Sequence, residues 1–166
     1  MKASNIVNLV LFNLTWFACV LGGSLIGLVG VAALLCFSIT QGTWRADGAL
    51  AVFLIVVGWS LDSVWVAFGV LDFDSRFAPL WIGLLWVAVG FSINHSLAFF
   101  RDQPVLGALI TGLCAPLSYL GGEKLGAVVV PEVAALGVIS ISWVVLFYGV
   151  YTYAGTYARD PARITD

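Results

Sequence analysis

Charged side chains make up only 10% of this 166-residue chain, against about 25% in soluble globular proteins. That leaves too little polar surface to clothe a water-soluble core, so an ordinary soluble domain is excluded. Neither sign dominates: seven Lys and Arg stand against nine Asp and Glu. A face of clustered cations for nucleic acid is therefore excluded as well. There is a single histidine, His95, which rules out a multi-histidine metal site, and no cofactor is expected. The three cysteines, Cys19, Cys36 and Cys114, are widely separated inside apolar runs. They form no C-x-x-C pair and read as small hydrophobes between helices. What the chain does have is apolar residues, 61% of the total, with a mean hydropathy of +1.06. The class this defines is an all-α polytopic membrane bundle, a single domain over residues 1–166.

A bilayer core of about 30 Å takes about 20 apolar residues per helix. From Ile6 to Ile39 the apolar run is too long for one span, and Gly22-Gly23-Ser24 breaks it near the middle. Two short helices joined as a tight hairpin are expected, about Asn5 to Leu21 and Ser24 to Ile39. A third is expected from about Ala49 to Leu71, and a fourth from Pro79 to Phe100 with proline in its first turn. The fifth follows Asp102-Gln103-Pro104 and runs to Leu120 or beyond, and the sixth follows Pro131 and ends near Tyr157. Six spans are the expectation.

The first apolar run, after Met1-Lys2, also has the outline of a cleaved leader. Its single charge and the interruptions at Asn8 and Asn13 speak against that reading. With six spans, Lys2, Arg45, Arg101, Arg159 and Arg163 share one side, and Arg76 and Lys124 the other. This cation bias places both termini in the cytoplasm. Tyr148, Tyr151, Tyr153 and Tyr157 crowd the end of the last helix, as an interfacial aromatic belt does. No extended similarity supports an inverted repeat of the two halves.

Depth along each helix groups the polar residues into two layers. The outer layer holds Asp62 and Tyr119, with Glu123 one turn further out if the fifth helix continues. A carboxylate at Asp62 costs at least about 2.5–3.5 kcal/mol to insert, so it is expected to face the bundle and meet Tyr119. The inner layer holds Asn13, Asn94, His95 and Arg101. Asp62 and His95 differ by about 12 Å in depth, which argues against an Asp62–His95 dyad. Asp62, His95 and Glu123 are the candidate catalytic residues; Asn13, Asn94, Tyr119 and Arg101 are the candidate substrate-binding ones. Against each stands a structural alternative: interhelical hydrogen bonding for His95, a capping role for Asp62, a solvated pair for Glu123 and Lys124.

Several stretches carry a family resemblance: Trp16 after Asn13, Leu61-Asp62-Ser63, Pro79-Leu80-Trp81, Asn94-His95-Ser96-Leu97 and Pro116-Leu117-Ser118-Tyr119. With Gly122-Glu123-Lys124-Leu125-Gly126-Ala127 they resemble a bacterial membrane family catalogued as domain of unknown function 2878. Ala115, where that family's pattern has glycine, is a mild departure. The resemblance implies a bacterial inner-membrane protein and brings no activity, cofactor or site residues. The leading functional expectation is an intramembrane polar cavity for a lipid-like or other apolar small molecule, with acid–base chemistry within its reach. A small proton-coupled permease and a non-catalytic partner subunit are the alternatives. Membrane lipids are the expected partners.

Overall fold

The computed structural model describes residues 2–158. Its helices are α1 (Ala3–Thr40), α2 (Trp44–Ala67), α3 (Leu80–Gly90), α4 (Pro104–Lys124) and α5 (Leu136–Ala158), with 3-10 turns at Ala98–Arg101 and Val133–Ala135. Four helical segments, all but α3, are long and apolar enough to cross a membrane. Their outward faces are bare hydrocarbon: Leu25 is 79% exposed, Val145 69% and Leu113 69%. A water-soluble helix turns such a face inward, so this surface suits lipid.

Among the described residues there are five helices, four of them of spanning length, where six spans were expected. The fourth expected helix is regular only over Leu80–Gly90, 11 residues, which is about 16 Å. The polar run that follows takes its hydrogen bonds elsewhere. The Ser92 hydroxyl bonds back to the Ala88 carbonyl. Asn8 donates to the Phe91 carbonyl and accepts from both the backbone and the hydroxyl of Ser96. Such side chains offer the backbone alternatives to the helical ladder, and the helix gives way to turns.

α1 turns back on itself. Gly23 has φ 65° and ψ −158°, a region open essentially only to glycine. Past that residue the two arms lie side by side: a Cβ on Gly27 would meet the Cys19 sulfur, and one on Gly30 the Thr15 side chain. Small residues allow this close approach. Both ends of α1 consequently reach the same neighbourhood, Asn8 at Phe91 and Ser38 at Asp47, which itself meets His95.

α2 starts at Trp44 rather than Ala49 and ends at Ala67 rather than Leu71. α1 packs on α3 and α3 on α2, while α4 and α5 form a second tight pair. Glycines make these contacts possible. A side chain at Gly58 would overlap the Trp86 indole, and one at Gly90 the Ala51 backbone. The two groups of helices meet mainly through large rings, Trp86 against Trp143 and Phe147. At the end carrying Asp62, Asp72 and Val129 exchange two backbone hydrogen bonds and join the connecting loops. Arg159 and Arg163 lie outside the described residues.

Candidate functional site

α2 carries two buried carboxylates, Asp47 and Asp62, which are 0% and 1% exposed. Fifteen residues apart on one helix, they are separated by about 22 Å of axis and about 60° of rotation. Each therefore faces the interior at a different level.

At the Asp62 level, α2, α3, α4 and α5 converge. The Tyr119 hydroxyl donates to Asp62 Oδ1, and the Trp86 indole N–H donates to Oδ2 at 2.6 Å. The notch at Gly58, one turn before Asp62, lets the Trp86 ring reach it. Trp143 stacks beside Trp86 with centroids 4.9 Å apart. Asp62 lines a cavity of about 280 Å3 whose other walls include Phe12 and Trp16 of α1, Trp86 of α3, and Tyr119 and Trp143. The cavity lies at the seam between the two helix groups. The buried indole N–H of Trp143 has no acceptor among the described protein groups. On the loop side, Leu71, Val128 and Val130 pack over Tyr119.

Glu123 does not join this group. Its carboxylate accepts the Val130 backbone N–H at 2.8 Å and so pins the loop that packs over Tyr119.

The Asp47 level is a closed polar knot. Asp47 Oδ2 accepts from the hydroxyls of Ser38 and Thr43 and pairs with His95 Nε2 at 2.8 Å. Oδ1 accepts from the Asn94 amide at 2.7 Å, and the Asn94 oxygen accepts from Arg101 at 3.0 Å. Three of the expected inner-layer residues, Asn94, His95 and Arg101, are thus brought together. Asn13 is not: it is exposed and its amide bonds the Leu9 carbonyl of its own helix. Asn8, five residues earlier and about 140° around the helix, is the asparagine that faces inward.

Asp47, Ser38, Thr43, Asn8 and Trp86 are the residues that sequence reading passed over. Asp47 sits in Thr43-Trp44-Arg45-Ala46-Asp47, which reads as a charged connecting loop. The one signal was the capping pattern: Thr43 stands four residues before an acid, where a first helical turn favours a carboxylate.

The fold and its apolar exterior define an all-helical membrane protein. The family model described as protein of unknown function (DUF2878) matches residues 5–148, and the chain belongs to that family. No curated protein and no solved structure matches it.

Proposed function

We propose that the protein binds a neutral, apolar molecule carrying a hydroxyl-type polar end, seated in the aromatic cavity with that end at Asp62. The observation that carries this reading is a carboxylate on the wall of a cavity built mainly of aromatic and aliphatic side chains, with Thr111 and Ser118 as its other small polar groups. A hydroxyl suits both sides of the site, donating to a lone pair of Asp62 left over by Tyr119 and Trp86 and accepting from an indole N–H such as that of Trp143. The volume of about 280 Å3 equals about nine water volumes, so it takes a small ligand or one end of a chain. Asp62 and Tyr119 are the candidate polar anchors, with proton exchange between them as the site's acid–base capacity. Loop packing over Tyr119 favours binding from the bilayer over a permease route. The satisfied Asp47 knot, with His95, Asn94 and Arg101, reads as structure that holds α1, α2 and α3 together. Glu123 reads as a loop anchor.

The topology that fits this reading is six passes in a bacterial inner membrane. The arms of α1 are two of them, and α3 with the turns to Arg101 is the fourth. Both termini then lie in the cytoplasm. Lys2, Arg45 and Arg101 gather at one end of the bundle and Arg76 and Lys124 at the other, which supports that orientation.

The test uses the cavity's own tryptophans. Purified protein in mild detergent is titrated with a terminally brominated C16 alcohol and with the bromoalkane of equal length. Saturable quenching by the alcohol at lower concentration than the alkane is expected. Asp62→Asn and Tyr119→Phe should bring alcohol and alkane together, and Glu123→Gln should leave them apart. Equal, unsaturable quenching by both probes in the unaltered protein refutes the reading.

A further inference from the structure

A second, larger cavity lies on the other side of the seam, between the start of α2 and the end of α5. It has a volume of about 610 Å3, and none of the residues lining it is acidic. Its long walls are apolar, with Leu50 and Phe53 on α2 facing Val145 and Gly149 on α5. Its polar residues, Arg45, Asn94, Tyr153 and Tyr157, gather toward one end. Tyr153 is 59% exposed and the neighbouring Trp44 48%, the placement of aromatic rings at a headgroup boundary. From Arg45 to Phe53 the groove runs about 12 Å along α2, from that boundary toward hydrocarbon.

Arg45 fixes the chemistry of the occupant. Its guanidinium lies over the Trp44 ring, 5.2 Å from the centroid, and meets no carboxylate among the described residues. A second guanidinium, that of Arg101, is held by Asn94, which itself lines the groove. The nearest buried carboxylate, Asp47, stands behind Asn94 with both oxygens already taken by donors. An acyl chain matches the apolar walls, and an anionic phosphodiester matches the cationic mouth. We infer that this groove is a binding site for an anionic phospholipid, with one acyl chain between α2 and α5 and the phosphate at Arg45. The site is separate from the Asp62 cavity and does not rest on the function proposed for it.

Gly149 provides a clean variant, since a Cβ there meets no atom within 4 Å. Gly149→Leu starts from this open position, extends a branched side chain into the groove and improves helix propensity. The full chain is purified in neutral detergent, and lipid retention by native mass spectrometry and melting are measured. The added lipids are phosphatidylglycerol and phosphatidylcholine of identical chains, with inorganic phosphate as a third arm. Expected is retention of phosphatidylglycerol with about a fivefold preference over phosphatidylcholine, the ratio one basic residue gives at an anionic surface. Arg45→Gln should reduce the preference to near unity. Gly149→Leu should lose lipid retention while melting no lower than the unaltered protein in lipid-free detergent. Asp62→Asn should retain phosphatidylglycerol normally, whatever its effect in the other cavity. Equal retention of both lipids, retention by Gly149→Leu, or stabilisation by phosphate alone would overturn the inference. A dimer that Gly149→Leu dissolves would overturn it too, because a second copy would then be the occupant.

Discussion

Replacing Asp47 by alanine removes the acceptor that four donors share: the Ser38 and Thr43 hydroxyls, the Asn94 amide and the His95 ring. They come from the end of α1, the connection to α2 and the turns after α3, so the loss falls on three segments at once. Interhelical hydrogen bonds in membranes average about 0.6 kcal/mol, and four of them set a lower bound of about 2.4 kcal/mol. Removing one partner of a buried charge pair costs about 3–5 kcal/mol, and because the Asp47–His95 contact is such a pair only with a protonated ring, this figure is the upper bound. The expected loss of about 2.5–5 kcal/mol is a large part of a typical stability of about 5–15 kcal/mol. It should appear as an earlier midpoint in SDS titration of purified protein in mixed micelles and as lower folded yield. Asn13→Ala is the control, because its amide serves only its own helix at an exposed position; its midpoint should move by no more than about 0.5 kcal/mol. In the Asp47→Ala/His95→Ala double variant the two losses should fall short of additive, since the ring left unpaired by the first change is gone. A single Asp47→Ala variant unfolding within about 0.5 kcal/mol of the unaltered protein would show that the knot holds nothing together.

Two further outcomes are expected. Gly23→Ala should cost about 1–3 kcal/mol, because its φ of 65° and ψ of −158° suit glycine alone; an unchanged SDS midpoint would mean the chain does not turn back there. Cysteines placed at Ser75 and Glu132, in a background where Cys19, Cys36 and Cys114 are replaced by alanine, should react with an impermeant maleimide only from the outer face of the membrane. Labelling of both from the cytoplasmic face alone would invert the proposed topology.

The residues differ in how far they could be read before the fold. The level of a group along a helix axis follows from a fixed rise of 1.5 Å per residue. Asp62 and Tyr119 could therefore be matched in depth from their positions alone, and the structure puts them in hydrogen-bond contact. The same arithmetic separated Asp62 from His95, and no bond joins them among the described residues. The break at Gly22-Gly23 was legible because two glycines interrupt an apolar run too long for one span. The span count was less legible. Apolar composition continues past Gly90, and nothing in composition says that Asn8 will claim the Phe91 carbonyl and help end α3.

Rotation about each axis, and which helix stands next to which, belong to packing. Asn13 and Asn8 both lie on the first arm, and only the face turned toward α3 decides that Asn8 is buried and Asn13 exposed. Asp47 looked like part of a charged loop because burial of a carboxylate depends on donors supplied by distant segments, here Ser38, Thr43, Asn94 and His95. The two cavities follow the same logic. They sit where one group of helices meets the other through bulky rings rather than close backbones. The sequence by itself determined the solvent, the approximate helices and the depth of each polar group, because these depend on composition and rise. The tertiary structure alone decided partners, burial and empty space, because these depend on azimuth and on contacts between residues far apart in the chain.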